Sequence, residues 1–152
     1  MAAIPVVPRR NPERRLYTAG AIAAVLVVFA GFARTYYLKG AFGTPELPAM
    51  MHVHGIVMTL WVALFVAQTR LVAAGRADLH RKLGAAGLLV AAAVVVVGAR
   101  VAIEGARAGL SPGLPPLVFL AVPLGMLAVF VPLVAAAIAL RQRSDWHKRL
   151  ML

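Results

Sequence analysis

The stretch LPAMMHVHGIVMTLWVALFVAQT, residues Leu47–Thr69, decides the fold of this chain, because its 23 residues include no Asp, Glu, Lys or Arg. A helix rises about 1.5 Å per residue, so roughly 20 apolar residues cross a hydrocarbon layer of about 30 Å. A run of this length and composition is typical of a transmembrane helix and unusual in a water-soluble core.

Three further uncharged runs accompany it: Leu16–Ala33 with 18 residues, Leu83–Ala99 with 17 and Ala108–Leu140 with 33. These runs are continuously apolar, whereas the strands of a transmembrane β-barrel alternate between apolar and polar residues. A span in lipid has to satisfy its own backbone hydrogen bonds, which leaves helices as the spanning elements. The sequence therefore predicts an all-α, four-helix transmembrane bundle.

The four spans use most of the 152 residues, so we predict one membrane domain and no soluble catalytic domain. The predicted organisation is a basic, proline-rich arm at residues 1–15, a four-span domain at residues 16–140 and a basic tail at residues 141–152. In the connection after the second span, Asp78 is expected to cap the third helix, because a carboxylate can accept hydrogen bonds from the exposed amides of the first turn.

The net charge of +11 is distributed unevenly. The amino-terminal arm, the connection after the second span and the carboxy-terminal tail carry most of the basic residues, which predicts a multi-pass protein of the bacterial inner membrane with both termini cytoplasmic. Because these cations lie at span edges, the pattern favours anionic lipid or partner chains over nucleic acid. We assign such contacts to Arg9, Arg10, Arg14, Arg15, Arg81, Lys82, Lys148 and Arg149.

One motif occurs twice, as DLHRKLG at Asp78–Gly84 and as DWHKRLM at Asp145–Met151. Each copy has Asp-x-His, two basic residues and Leu, and each follows an even-numbered span. The first copy opens the third span, whereas the sequence stops just after the second copy. The second copy is therefore either the start of a shortened repeat, which we favour, or a segment that lies along the membrane surface.

The segments FARTYYLKG, LPAMMHVHG, QTRLVAAGRADLHRKLG and DWHKRLM together resemble a group of bacterial multi-pass inner-membrane proteins that have no assigned activity. The resemblance covers most of the chain after about Leu16 and rests on the His-x-His and Asp-x-His-basic-basic-Leu motifs. Members of that group generally continue into further spans after the second motif, so the resemblance implies a carboxy-terminally shortened chain with a helix face left uncovered for a partner.

His52, His54, His80 and His147 are the candidate cofactor ligands, because ionisable groups near a membrane interior are often functional. His52 and His80 are expected at opposite membrane faces, which excludes a shared haem iron. His52 and His54 point about 200° apart around a helix, so they cannot face one metal unless the helix unwinds. His54 is the better inward candidate, and Met51 or a residue of another chain could supply its second axial ligand.

His80 and His147 occupy equivalent positions in the repeat and could converge among basic residues able to pair with haem propionates. Either arrangement could hold haem b or a (bacterio)chlorophyll, and another metal or a proton-transfer role stays open. The interpretation that we favour from the sequence is plainer: the inner histidines are capping or interfacial residues, and the outer two are packed at the rim.

The sequence contains no phosphate-binding loop, no His-Glu-x-x-His zinc motif and no nucleophile triad, and its spans contain no carboxylate. It therefore predicts no catalytic activity of its own. The expected function is an accessory or assembly subunit of a larger respiratory or photosynthetic membrane complex, with lipids and other transmembrane subunits as partners. The alternative is a b-type haem electron-transfer protein with histidine axial ligands.

Overall fold

The computed structural model describes residues 12–111 and 113–151, which form helices and, within those ranges, no strand. The spanning helices are α1 (Pro12–Phe32), α2 (Ala49–Ala73), α3 (Ala77–Arg107) and α4 (Pro116–Ala139), and a short helix α5 (Ser144–Leu150) follows them. Four helical segments are long and apolar enough to cross a membrane. The predicted all-α, four-helix bundle is confirmed, and the chain has the build of a multi-pass membrane protein.

Prolines mark the starts of three spanning helices. Pro12 is the first residue of α1, Pro48 precedes α2, and Pro115 precedes α4. Proline is tolerated at a helix start because the first backbone amides have no intrahelical acceptor. Helix α1 therefore includes the last four residues of the segment predicted as an arm, while Arg9 and Arg10 lie outside the described residues.

The spanning helices pack in sequence order: α1 against α2, α2 against α3, and α3 against α4, with α5 folded onto the end of α4. This order places the start of α1, the α2–α3 turn, the end of α4 and α5 at one end of the bundle, here called the basic end. The opposite end holds the α1–α2 and α3–α4 connections. Gly75 turns the chain between α2 and α3 with φ of 73°, a backbone conformation that favours glycine.

The core between the helices is built from small side chains. Among the described residues, the buried apolar side chains are those of Ala21, Ala91, Val94 and Ala137. Gly87 on α3 lies against Leu64 on α2, since a Cβ added to Gly87 would be 2.8 Å from Leu64 Cδ2. Small residues let membrane helices approach closely and gain van der Waals contact, which is the main source of helix association in lipid. The α2–α3 pair is the centre of the bundle.

The predicted cap at Asp78 is wrong. The residue that precedes α3 is Arg76, and no side chain caps that helix start with a hydrogen bond. Asp78 instead lies inside the first turn, and its Oδ1 is 3.5 Å from Arg76 Nε. The neighbouring guanidinium competes for the carboxylate, which still lies near the positive end of the helix dipole.

Candidate functional site

His80 and His147 come together at the basic end. His80 lies in the first turn of α3 and His147 in α5, and their ring centroids are 6.1 Å apart with an interplanar angle of 80°. The two residues are 67 positions apart in sequence, so their approach depends on α5 folding back across the end of the bundle. The structure thus brings together the two equivalent histidines of the repeat.

The hydrogen bond of His147 fixes which ring nitrogen carries its proton. Nδ1 of His147 is 2.8 Å from the carbonyl oxygen of Ala137, in the last turn of α4. A carbonyl only accepts hydrogen bonds, so Nδ1 has to be the donor. In the neutral ring, Nε2 then keeps its lone pair. A backbone carbonyl that orients a histidine in this way is common in metal sites, because it fixes the tautomer and turns the other nitrogen towards the ligand.

His80 differs from His147 in that one of its ring nitrogens makes no hydrogen bond. Its Nδ1 is buried and has no hydrogen-bond partner within the described part of the chain, and the same is true of Gln68 Oε1 on α2. Gln68 faces α3 one helical turn from His80, since its Nε2 would be 3.3 Å from a Cβ at Gly84. An unpaired buried polar atom costs about 1–3 kcal/mol, so His80 Nδ1 and Gln68 Oε1 are the atoms of this region that are open to a further hydrogen bond or a ligand.

Gln68 is the residue of this cluster that the sequence analysis did not select. The available signal was that it is the only amide side chain inside the four uncharged runs. Polar side chains within spans are costly and usually face the interior of a bundle, so this residue could have been identified from the sequence.

Basic residues follow both members of the histidine pair in the sequence. Each histidine is followed directly by two basic residues: Arg81 and Lys82 after His80, and Lys148 and Arg149 after His147. Lys148 Nζ pairs with Asp145 Oδ1 at 2.8 Å, and this hydrogen bond lowers the pKa of the exposed Asp145 carboxyl. The charge around the pair favours a ligand that carries negative groups.

His52 and His54 lie in the first turns of α2, at the opposite end of the bundle. The helix is regular through both positions, so their side chains leave it in different directions. The His52 ring is 5.9 Å from the Tyr36 ring, and Tyr36 donates a hydrogen bond to the His52 carbonyl at 3.3 Å. His54 Nδ1 is buried and unpaired within the described residues. This end therefore offers isolated imidazoles and no histidine pair.

A close contact between α1 and α2 stabilises the end of the bundle opposite the basic end. A π-helical turn at Ala33–Tyr37 follows α1 and carries Tyr36 onto α2, where its ring covers Gly55. A π-helical turn adds one residue to the helical repeat and is often found at functional positions. The adjacent Tyr37 hydroxyl is 2.9 Å from Thr59 Oγ1, so both tyrosines bridge α1 to α2.

Gly55→Ala is expected to destabilise the protein by about 1–3 kcal/mol, because the new methyl group would overlap the Tyr36 ring and displace it from α2. Unfolding in a graded mixture of mild detergent and dodecyl sulfate, followed by circular dichroism, measures the change. Gly31→Ala is the matched control, since nothing lies within 4 Å of a Cβ at Gly31. Equal stability of the two variants would contradict this role for the contact.

The described residues include no group of three or more His, Cys, Asp or Glu side chains that could hold a metal ion. The histidine pair can still supply two imidazole ligands to a group that brings its remaining ligands with it, as a porphyrin does. His80 and His147 would be the residues that hold such a group.

No protein-family model matches this chain, and comparisons with curated proteins and with solved structures find no match either. The two ends of the bundle and the outer faces of its helices are therefore the features that bear on its function.

Proposed function

We propose that this chain is a small accessory or assembly subunit of a larger respiratory or photosynthetic membrane complex. The observation that carries the proposal is the order of packing. The first and last spanning helices pack mainly against one neighbour each, and their large side chains point outward, for example Val27 with 71% and Met126 with 69% of its surface exposed. Such faces suit lipid and the helices of other subunits.

The same proposal places the chain in the bacterial inner membrane with both termini in the cytoplasm. The basic end carries most cations of the described residues, and positive residues in short connections favour the cytoplasmic side. Arg15, Arg81 and Arg149 would then face the anionic lipid surface and the cytoplasmic parts of partner subunits.

Two glycines allow the outer faces to be tested separately. Gly31 lies on α1 and Gly125 on α4, and a Cβ at either position would meet nothing within 4 Å. We expect Gly31→Trp or Gly125→Trp to leave the isolated chain folded and to eject the partner subunit that packs on that face. Isolation of the native complex in mild detergent, with mass spectrometry of its subunits, measures the loss. Release of the partner by neither variant, or a wild-type chain without partner subunits, would contradict the proposal.

A second function is favoured by a specific observation, the His80–His147 pair. With its tautomer fixed by Ala137, His147 can present Nε2, and His80 has an unused nitrogen. His80 and His147 would hold a haem b, which when bound would supply one-electron transfer at the basic end. Arg81 and Lys82 would pair with the propionates. A (bacterio)chlorophyll, which takes one axial histidine, is the related possibility.

An absorption spectrum of the purified protein distinguishes the two proposals. A Soret band and an α band that sharpens on reduction support the haem protein. A colourless protein that is isolated with defined partner subunits supports the accessory role alone.

A further inference from the structure

A laterally open, apolar cavity of about 160 Å³ lies between α1 and α2 at the basic end. Its α1 wall runs from Thr18 to Leu26, about 12 Å along the helix, and its α2 wall from Val66 to Arg70. The small side chain of Ala21, which is 4% exposed, leaves room between the helices. An apolar cavity that opens sideways into lipid suits a hydrocarbon chain better than water.

Arg70 lies at the end of this cavity that is nearest to the basic end. It is exposed in the last turn of α2 and lines the cavity at the same level as Thr18, while Leu26 and Val66 lie deeper in the bundle. The site therefore has a cation at the level of the membrane surface and an apolar slot leading towards the bilayer interior. This arrangement suits an amphiphilic molecule whose head group contacts the arginine and whose hydrocarbon chain occupies the cavity.

The side chains described for residues 15–111 and 113–151 provide no counter-charge for Arg70, because each acidic side chain among them is paired with another cation. These pairs are Glu46 with Lys39 (2.9 Å), Asp78 with Arg76 (3.5 Å), Glu104 with Arg100 (2.8 Å) and Asp145 with Lys148 (2.8 Å). A guanidinium binds phosphate with two parallel hydrogen bonds, which makes a phosphate group the fitting partner at a membrane surface.

We infer that the α1–α2 cavity binds one anionic phospholipid, with its phosphate on Arg70 and one acyl chain between Ala21, Leu26 and Val66. This inference is independent of the proposed function, since it needs neither a partner subunit nor a haem. A zwitterionic lipid fills the slot equally well but carries a choline that the surrounding cations repel. The site therefore discriminates between lipids by the charge of the head group and not by the structure of the acyl chain.

The test uses the full chain in vesicles of equal parts phosphatidylglycerol and phosphatidylcholine with identical acyl chains. One of the two lipids at a time carries a photoactivatable group in its chain, and labelled peptides are identified by mass spectrometry. We expect labelling of the Thr18–Leu26 and Val66–Arg70 segments to be about five- to tenfold stronger from phosphatidylglycerol. Arg70→Gln is expected to reduce this ratio to about one. Excess inorganic phosphate is expected to leave it unchanged, because it has no chain to hold it in the slot.

Arg107→Gln is the matched control, because it removes an exposed cation from the opposite end of the bundle and should leave the ratio intact. Ala21→Leu, which fills the slot, is expected to lower labelling from both lipids while circular dichroism shows the same helix content. Equal labelling by the two lipids, or equal ratios in Arg70→Gln and Arg107→Gln, would overturn the inference. Loss of lipid labelling in the native complex, because a partner helix occupies the cavity there, would overturn it as well.

Discussion

If the histidine pair holds a haem b, replacing either His80 or His147 with alanine is expected to remove the low-spin α band of the reduced protein. With one histidine remaining, the haem would be lost during purification, which removes the Soret band as well, or would become high-spin, which shifts it. The measurement is the reduced-minus-oxidised spectrum per mole of protein, with a pyridine haemochrome assay for bound haem. The wild-type protein has to be made in cells supplied with a haem precursor.

His52→Ala is the control for this experiment, since it removes an imidazole of comparable exposure from the opposite end. It is expected to keep both bands. If His54→Ala removes the bands and His80→Ala does not, the ligand lies at the opposite end and the pair has no ligating role. If the wild-type protein is colourless, haem ligation is wrong, and the two buried unpaired atoms near His80 need another occupant.

Gly87→Leu is expected to destabilise the bundle by about 2–3 kcal/mol. Gly87 is buried where α3 crosses α2, and even a Cβ would be 2.8 Å from Leu64 Cδ2. Alanine can be accommodated by a rotation of the Leu64 side chain, but the four carbons of leucine require the helices to separate. The measurement is the unfolding midpoint in graded dodecyl sulfate.

Gly105→Leu is the matched control, because it makes the same change on the same helix where a Cβ would meet nothing within 4 Å. A size exchange gives a second check: Gly87→Leu combined with Leu64→Ala brings the summed side-chain volume at the crossing to within one methyl group of the original. We expect this double variant to recover at least half of the lost stability, as contacting residues couple. If Gly87→Leu is as stable as Gly105→Leu, the close α2–α3 approach does not hold the bundle together.

The membrane fold could be predicted because the absence of charge over a run such as Leu47–Thr69 is a strong and local signal. The convergence of His80 and His147 was predicted as one of two arrangements, since the repeat places both after even-numbered spans. What could not be predicted was the contact that orients His147. It depends on α5 folding back until Nδ1 reaches the Ala137 carbonyl, a tertiary arrangement that no sequence period specifies.

Two other features of the structure also could not be predicted from the sequence. The expected cap at Asp78 failed because Arg76, two residues earlier, competes for its carboxylate. The cover that Tyr36 provides for Gly55 depends on the π-helical turn after α1, which shifts the tyrosine around the helix. Hydrophobic patterns identify which segments enter lipid, whereas side-chain competition and a one-residue change of helical repeat decide what they touch.

The cations at the two ends of the bundle also govern whether it can invert once it is inserted in the membrane. To invert after synthesis, the bundle would have to carry the guanidinium and ammonium groups of its loops through hydrocarbon, at about 2.5–3.5 kcal/mol for each. The summed cost is far above thermal energy, so the inserted bundle is expected to keep the orientation in which it was inserted. A mixed population of upright and inverted copies is therefore not expected to equilibrate.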